Sequence, residues 1–134
     1  MEKNKGVNNV ISIPSGLKGN FFRKWVELLA PFHHLTKREQ DILAAFIKAR
    51  FELSHSISDE SLLDKVVMSD DVKTKIKEEC HVSDAFFQVI IGKLKKQGAI
   101  KDGKINSKLI PKKLADDDKS FLCLLYFDLN GGDS

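Results

Sequence analysis

The side chains able to ligate a metal or act as nucleophiles are few and scattered: His33-His34, His55, Cys80-His81 and Cys123. A zinc site draws its ligands from short fixed spacings such as C-x-x-C or H-x-x-x-H, and none occurs here. There is no G-x-S-x-G, no P-loop and no dinucleotide fingerprint, and no serine or cysteine has a histidine as a local partner. The sequence therefore predicts no catalytic residue, no metal, no cofactor and no small-molecule substrate. Cys123 reads as a buried strand residue and Cys80 as a neighbour of a helix end. The acids between Asp59 and Glu79 read as a solvated helical face, and Asp116-Asp117-Asp118 as a loop.

The chemistry that is concentrated is charge. A net charge of +3 conceals strong segregation. From Met1 to Lys24 five basic residues face one acid, and from Asp59 to Glu79 seven acids outnumber four lysines. Lys93, Lys95, Lys96, Lys101, Lys104, Lys108, Lys112 and Lys113 then face Asp102 alone, and from Leu114 onward five aspartates face only Lys119. Two readings follow: the lysine region steers a nucleic acid, or the basic face of one copy meets the acidic face of another.

These residues must be positioned by a single small domain. At 134 residues, 42% hydrophobic and 31% charged, the chain suits one compact domain of ordinary size or a small domain carrying structured arms, and no apolar run nears the roughly 20 residues that cross a bilayer. The opening MEKNKGVNNVISIPSG has no apolar stretch of the kind that follows the charges of a secretory signal, and the two cysteines lie far apart. The expectation is an intracellular, reducing environment without disulfides and without a membrane.

Val10-Ile11-Ser12-Ile13 is a short β-like patch ended by Pro14. Asn20 opens a helix carrying Phe21, Phe22, Trp25, Val26, Leu28 and Leu29, which Pro31 is expected to end. Trp25 with Phe21, Phe22 and Phe32 could form a stacking platform for single strands, but helical spacing favours core packing. Thr36 and Glu39 make a T-x-x-E capping box ahead of Ile42, Leu43, Phe46, Ile47 and Leu53. Ser58 or Asp59 starts a short helix, and Ser69 or Asp70 another with Val72 and Ile76 on one face. Ser83 caps a helix carrying Phe86, Val89, Ile90 and Leu94, which Gly98 closes in a left-handed conformation. Gly92 inside it costs about 1 kcal/mol relative to alanine, which predicts close approach of another backbone. Asp102-Gly103 is the strongest two-residue hairpin signal in the chain, between Ala99-Ile100-Lys101 and Lys104-Ile105-Asn106. Phe121 to Leu129 reads as a strand that is apolar on both faces and needs cover on both, from its own sheet or from another subunit.

The order of these elements, with LTKREQDIL in one helix and VSDAFFQVIIGKLKKQGAIKDGKI at the end, resembles the winged helix-turn-helix superfamily from about Leu35 to Ile110. The resemblance implies a serine-capped third helix and an L-x-x-x-G-x-I transition, here Leu94, Gly98 and Ile100, into a β-hairpin wing. Members read DNA with the third helix or serve as protein-docking modules. If Phe86, Ile90 and Leu94 point inward, Asp84, Phe87, Gln88, Ile91 and Lys95 point outward. The apolar pair Phe87 and Ile91 then argues for packing on protein, and leaves Gln88, Lys95, Lys96, Lys101, Lys104 and Lys108 as possible contacts to DNA phosphates. The alternative, with Phe87 and Ile91 covered inside the monomer by the N-terminal helix, stays open at this point.

FFRKWVELLAPFHHLT, the hairpin and the terminal FLCLLYFDL together are also similar to small virion proteins of crAss-like tailed bacteriophages, including those that form rings at the portal and neck. That resemblance implies a subunit repeated head to tail in a ring. The expected protein is mainly α with a small β component (α+β). Its parts are an arm at 1–19, a winged-helix-like domain with an N-terminal helix at 20–110, and a loop, strand and tail at 111–134. The expected function is a non-enzymatic structural subunit of a virion, assembled in the bacterial cytoplasm and bound to copies of itself and neighbouring virion proteins. Its interface would use Val10, Ile11, Ile13, Phe87, Ile91, Phe121, Cys123, Leu125 and Phe127. The alternative is a winged-helix transcriptional regulator of a phage or mobile element, binding DNA through Gln88 and the lysines.

Overall fold

The computed structural model describes residues 10–14, 20–112, 114, 120–121 and 128–130. Six helices and one hairpin follow in chain order: α1 (Phe21–Leu28), α2 (Ala30–His33), α3 (Lys37–Leu53), α4 (Glu60–Val67), α5 (Asp70–Cys80), α6 (Asp84–Lys96), β1 (Ile100–Lys101) and β2 (Lys104–Ile105). A single 3-10 turn, Ser107–Leu109, ends the run. The protein is mainly helical with a small antiparallel sheet of two strands.

α3 is the hub, in contact with α1, α4, α5 and α6. Its start is set locally: the Thr36 hydroxyl accepts from the Glu39 amide at 3.3 Å while the Glu39 carboxylate accepts from the Thr36 amide at 2.9 Å, so two otherwise orphaned donors are satisfied. Ile42, Leu43, Phe46 and Ile47 then fall on its inner face and are fully buried, each contributing about 1.5–3 kcal/mol from apolar burial. Around them close Leu63 and Val67 of α4, Ile76 of α5, and Phe87, Ile90, Ile91 and Leu94 of α6.

Side chains also cap three further helices. Asp59 accepts from the amides of Ser61 and Leu62, Ser69 from that of Val72, and Ser83 from that of Phe86. Pro31 does not end the first helix. α1 stops at Leu28, and Pro31 sits in the first turn of α2, where a proline's missing N–H costs nothing. α2 brings His33 into the interior, where Nε2 bonds the Val26 carbonyl at 2.7 Å and Nδ1 accepts from the Leu35 amide at 3.1 Å. Gln40, buried beside it, donates to the Leu35 carbonyl and accepts from Arg23, which also pairs with Asp41 at 2.6 Å. Trp25 belongs to the core, and its Nε1–H donates to the Leu109 carbonyl at 2.8 Å, joining residues 84 positions apart.

The hairpin follows α6 almost at once. Gly98 has φ +82°, the left-handed conformation expected after a helix. Asp102 and Gly103 both have positive φ, +57° and +75°, as a type I′ turn demands. The register pairs Ile100 with Ile105 and Lys101 with Lys104. Because strand side chains alternate, the isoleucines face the core and the lysines face solvent. Asn106 secures the base by donating from Nδ2 to the Gly98 carbonyl at 2.9 Å. Val10 to Pro14 belong to no strand, and the expected strand from Phe121 to Leu129 falls mostly outside the described residues.

Candidate interaction surfaces

The phase of α6 decides what this protein offers to a partner. The expected orientation, with Phe87 and Ile91 outward and Phe86 inward, is reversed. Phe87 and Ile91 are 0% and 5% exposed, whereas Phe86 is 45% and Val89 66% exposed. Phe87 is covered by α3, its ring 6.2 Å from that of Phe46, and Lys77 of α5 lies over its other side at 5.6 Å. Neither Phe87 nor Ile91 can reach a partner from there. The physical reason is that Phe86, Phe87, Val89, Ile90 and Ile91 spread over an arc of about 200°, wider than the face the helix can bury, so the apolar pattern admits two phases and packing on α3 selects one.

With that phase, 100° per residue places Ala85, Val89, Gly92 and Lys96 along the outermost line of α6. Gln88 and Lys95 lie on one flank, Phe86 and Lys93 on the other. Gly92 is not needed for a close approach inside the described chain: a Cβ built there would meet nothing within 4 Å.

The lysines are close together in sequence. α6 contacts β1, so the end of the helix that carries Lys93, Lys95 and Lys96 lies beside the hairpin that carries Lys101 and Lys104. Lys95, Lys96, Lys101, Lys104, Lys108 and Lys112 are exposed and Lys93 is half-buried. Among the described residues only Lys104 of this group meets an acid, Asp64 at 3.9 Å. That carboxylate is already held by Arg50 at 2.9 Å, in a pair whose side chains are 16% and 17% exposed. The Arg50–Asp64 pair thus ties α3 to α4 and steadies β2 beside it.

The N-terminal arm carries a second uncovered surface. Val10, Ile11 and Ile13 are 73%, 86% and 51% exposed, and the arm is held to α1 where Lys24 Nζ donates to the Pro14 carbonyl. Phe121, expected at an interface, is half-buried within the chain, its ring 5.7 Å from Phe21 and 5.6 Å from Trp25 in edge-to-face contacts. Cys123, Leu125 and Phe127 lie outside the described residues. Leu28, Phe32, Leu62, Phe86 and Val89 are exposed as well, which the apolar spacing of the sequence does not mark. A helical wheel of α6 drawn in the other phase would have marked the last two.

Elsewhere the chemistry is sparse. A small surface cavity of about 130 Å³ lies between Ile47 and Phe51 of α3 and Ile110 and Pro111, and its one charged lining residue, Arg50, is committed to Asp64. Burial pushes the Cys80 thiol up from its ordinary value, against a smaller opposing pull from Arg38. Arg38 itself is spent on the end of α5, donating to the Cys80 carbonyl at 2.6 Å. Among the described residues no three histidines, cysteines or carboxylates gather as a metal cluster, and no helix is long and apolar enough to cross a membrane. Comparison with protein families, with curated proteins and with solved structures finds no match to this chain.

Proposed function

We propose that the protein is a non-enzymatic subunit of a larger protein assembly, holding its neighbours through the N-terminal arm and the outer face of α6. The observation that carries this reading is the uncovered apolar surface: Val10, Ile11 and Ile13 on the arm, and Phe86 and Val89 on α6. An extended segment of branched apolar residues gains by adding to a partner's sheet edge or apolar groove, and two large side chains beside a glycine suit close packing of another element. The resemblance to virion proteins of crAss-like phages makes the assembly a portal, neck or tail ring of copies of this chain with neighbouring virion proteins, formed in the bacterial cytoplasm.

The second reading, a DNA-binding regulator, gains one observation and meets one obstacle. With Phe87 and Ile91 inside, Gln88 and Lys95 share an open flank of α6. Of its outermost line Ala85, Val89 and Gly92 carry no side-chain donor or acceptor for a base edge, and Lys96 at the helix end is the one donor there.

The test is the mass of the untagged chain by light scattering from micromolar to millimolar concentration, beside a Val10→Asp/Ile11→Asp variant and a Val89→Asp variant. All three positions are exposed, so folding should be unaffected. A discrete oligomer that either variant dissolves supports the reading. A monomer at every concentration, or an oligomer indifferent to all three substitutions, overturns the ring.

A further inference from the structure

We propose that the outer face of α6 pairs with the same face of a second copy of this chain, the two helices running antiparallel about a two-fold axis near Val89. The inference rests on the reading above that this face is a contact, and it names the partner. Val89 at the centre and Phe86 one turn before it are the exposed large apolar side chains of α6. Gly92 follows Val89 by the same interval, and a Cβ built there would meet nothing within 4 Å. A large side chain and a gap thus stand at equal distances on either side of Val89. Turning a second α6 end for end about that residue brings each Phe86 over Gly92 of the other copy, where the missing side chain lets the helices approach closely.

Charge selects both the partner and the direction. At 100° per residue Asp84, in the first turn of α6, and Lys95, in its last, lie on the same flank of the outer face. The Asp84 side chain is 88% exposed even while it accepts from Lys77 at 2.8 Å, and Lys95 is exposed with no acidic partner among the described residues. A two-fold axis perpendicular to the plane of the two helices keeps like flanks on the same side. With Val89 facing itself, Asp84 therefore meets Lys95 of the other copy, and the symmetry makes the pair twice. A parallel arrangement would set acid against acid and lysine against lysine, with the helix dipoles aligned unfavourably. Each feature of the face finds its complement on the same helix reversed, as an isologous contact requires. α6 has 13 residues and is about 20 Å long, too small a patch for the roughly 1,200–2,000 Å² of a stable interface. The pair is thus a weak contact that closes after two copies and leaves the arm for other neighbours.

The test is disulfide cross-linking of the full chain under mild oxidation at high micromolar concentration, in a Cys80→Ser/Cys123→Ser background. Val89→Cys should link to itself at least about tenfold faster than Lys75→Cys, which is exposed on α5. Phe86→Cys should link with Gly92→Cys but not with itself, because in the antiparallel pair the two copies of residue 86 stand about 9 Å apart along the axes, beyond the reach of a disulfide. Gly92→Leu fills the seat of Phe86 without meeting its own chain, so it should slow the Val89→Cys link about tenfold and leave the urea midpoint no lower. Lys95→Glu, which opposes two exposed ion pairs, should slow it about 2- to 30-fold, and Lys101→Glu on the hairpin should not. Linking of Val89→Cys no faster than Lys75→Cys, self-linking of Phe86→Cys as fast as its link to Gly92→Cys, or indifference to both Gly92→Leu and Lys95→Glu overturns the proposal. If any of these accompanies an oligomer that Val10→Asp/Ile11→Asp dissolves, the helix pair falls and the assembly stands. If no link forms and the chain is a monomer at every concentration, both fall.

Discussion

Replacing Phe87 with alanine, beside the same change at Phe86, tests the phase of α6 most directly. Phe87 is fully buried, packs on the Phe46 ring at 6.2 Å and lies under the Lys77 ammonium at 5.6 Å. Truncating a buried phenylalanine costs about 3–5 kcal/mol in lost transfer energy and residual cavity, and loss of the aromatic pair falls within that total. Phe86 is nearly half exposed, and its truncation should cost about 1 kcal/mol or less. Two neighbours of identical type thus differ by about 3 kcal/mol solely through orientation. Urea unfolding followed by circular dichroism measures this. With a slope of about 1.5 kcal/mol per molar urea, Phe87→Ala should lower the midpoint by about 2–3 M and Phe86→Ala by less than about 0.7 M. Equal shifts, or the larger shift at Phe86, would refute the placement of Phe87 in the core, and with it the outward lysine, glycine and valine line.

Gly92→Ala should raise stability by about 0.5–1 kcal/mol, since the added methyl meets nothing within 4 Å and removes the entropic cost of a helical glycine; a midpoint that falls would show a neighbour at that position. Asp64→Asn should cost about 1–2 kcal/mol by leaving the largely buried Arg50 unpaired, and should speed amide exchange at Ile105 as β2 loses its tether. Unchanged exchange there would mean that the hairpin is held by Ile100 and Ile105 alone. In a Cys123→Ser background, Cys80 should be alkylated at pH 8 several-fold more slowly than a free cysteine, because burial disfavours its thiolate. The sign for stability follows: the folded chain holds this proton more tightly than the unfolded chain, so the contribution is present at neutral pH and is lost as pH rises past the free thiol's value. A stability that increases over that alkaline range, relative to Cys80→Ser, would contradict it.

The elements legible in the sequence are those whose cause is local. The Thr36–Glu39 box, the caps at Asp59, Ser69 and Ser83, the left-handed Gly98 and the Asp102-Gly103 turn each arise from side chains and backbone groups a few residues apart. Their chemistry is complete within a window of sequence, and each sits where its residues place it. The concentration of lysines after Lys93 is likewise a property of the chain, as is the hairpin alternation that turns Lys101 and Lys104 to solvent.

The tertiary structure decided what depends on a partner distant in sequence. Five apolar residues between Phe86 and Ile91 leave α6 free to bury either of two arcs, and only the Phe46 side of α3 selects the arc with Phe87, Ile90, Ile91 and Leu94. The same holds for Asp64, which reads as one acid of a solvated helical face until Arg50 and Lys104 close on it from two other elements and leave its side chain 17% exposed. Local hydrogen bonds fix where a helix begins and ends, whereas the face it buries is a collective choice of the core, and that choice determines which residues remain outside to meet a partner.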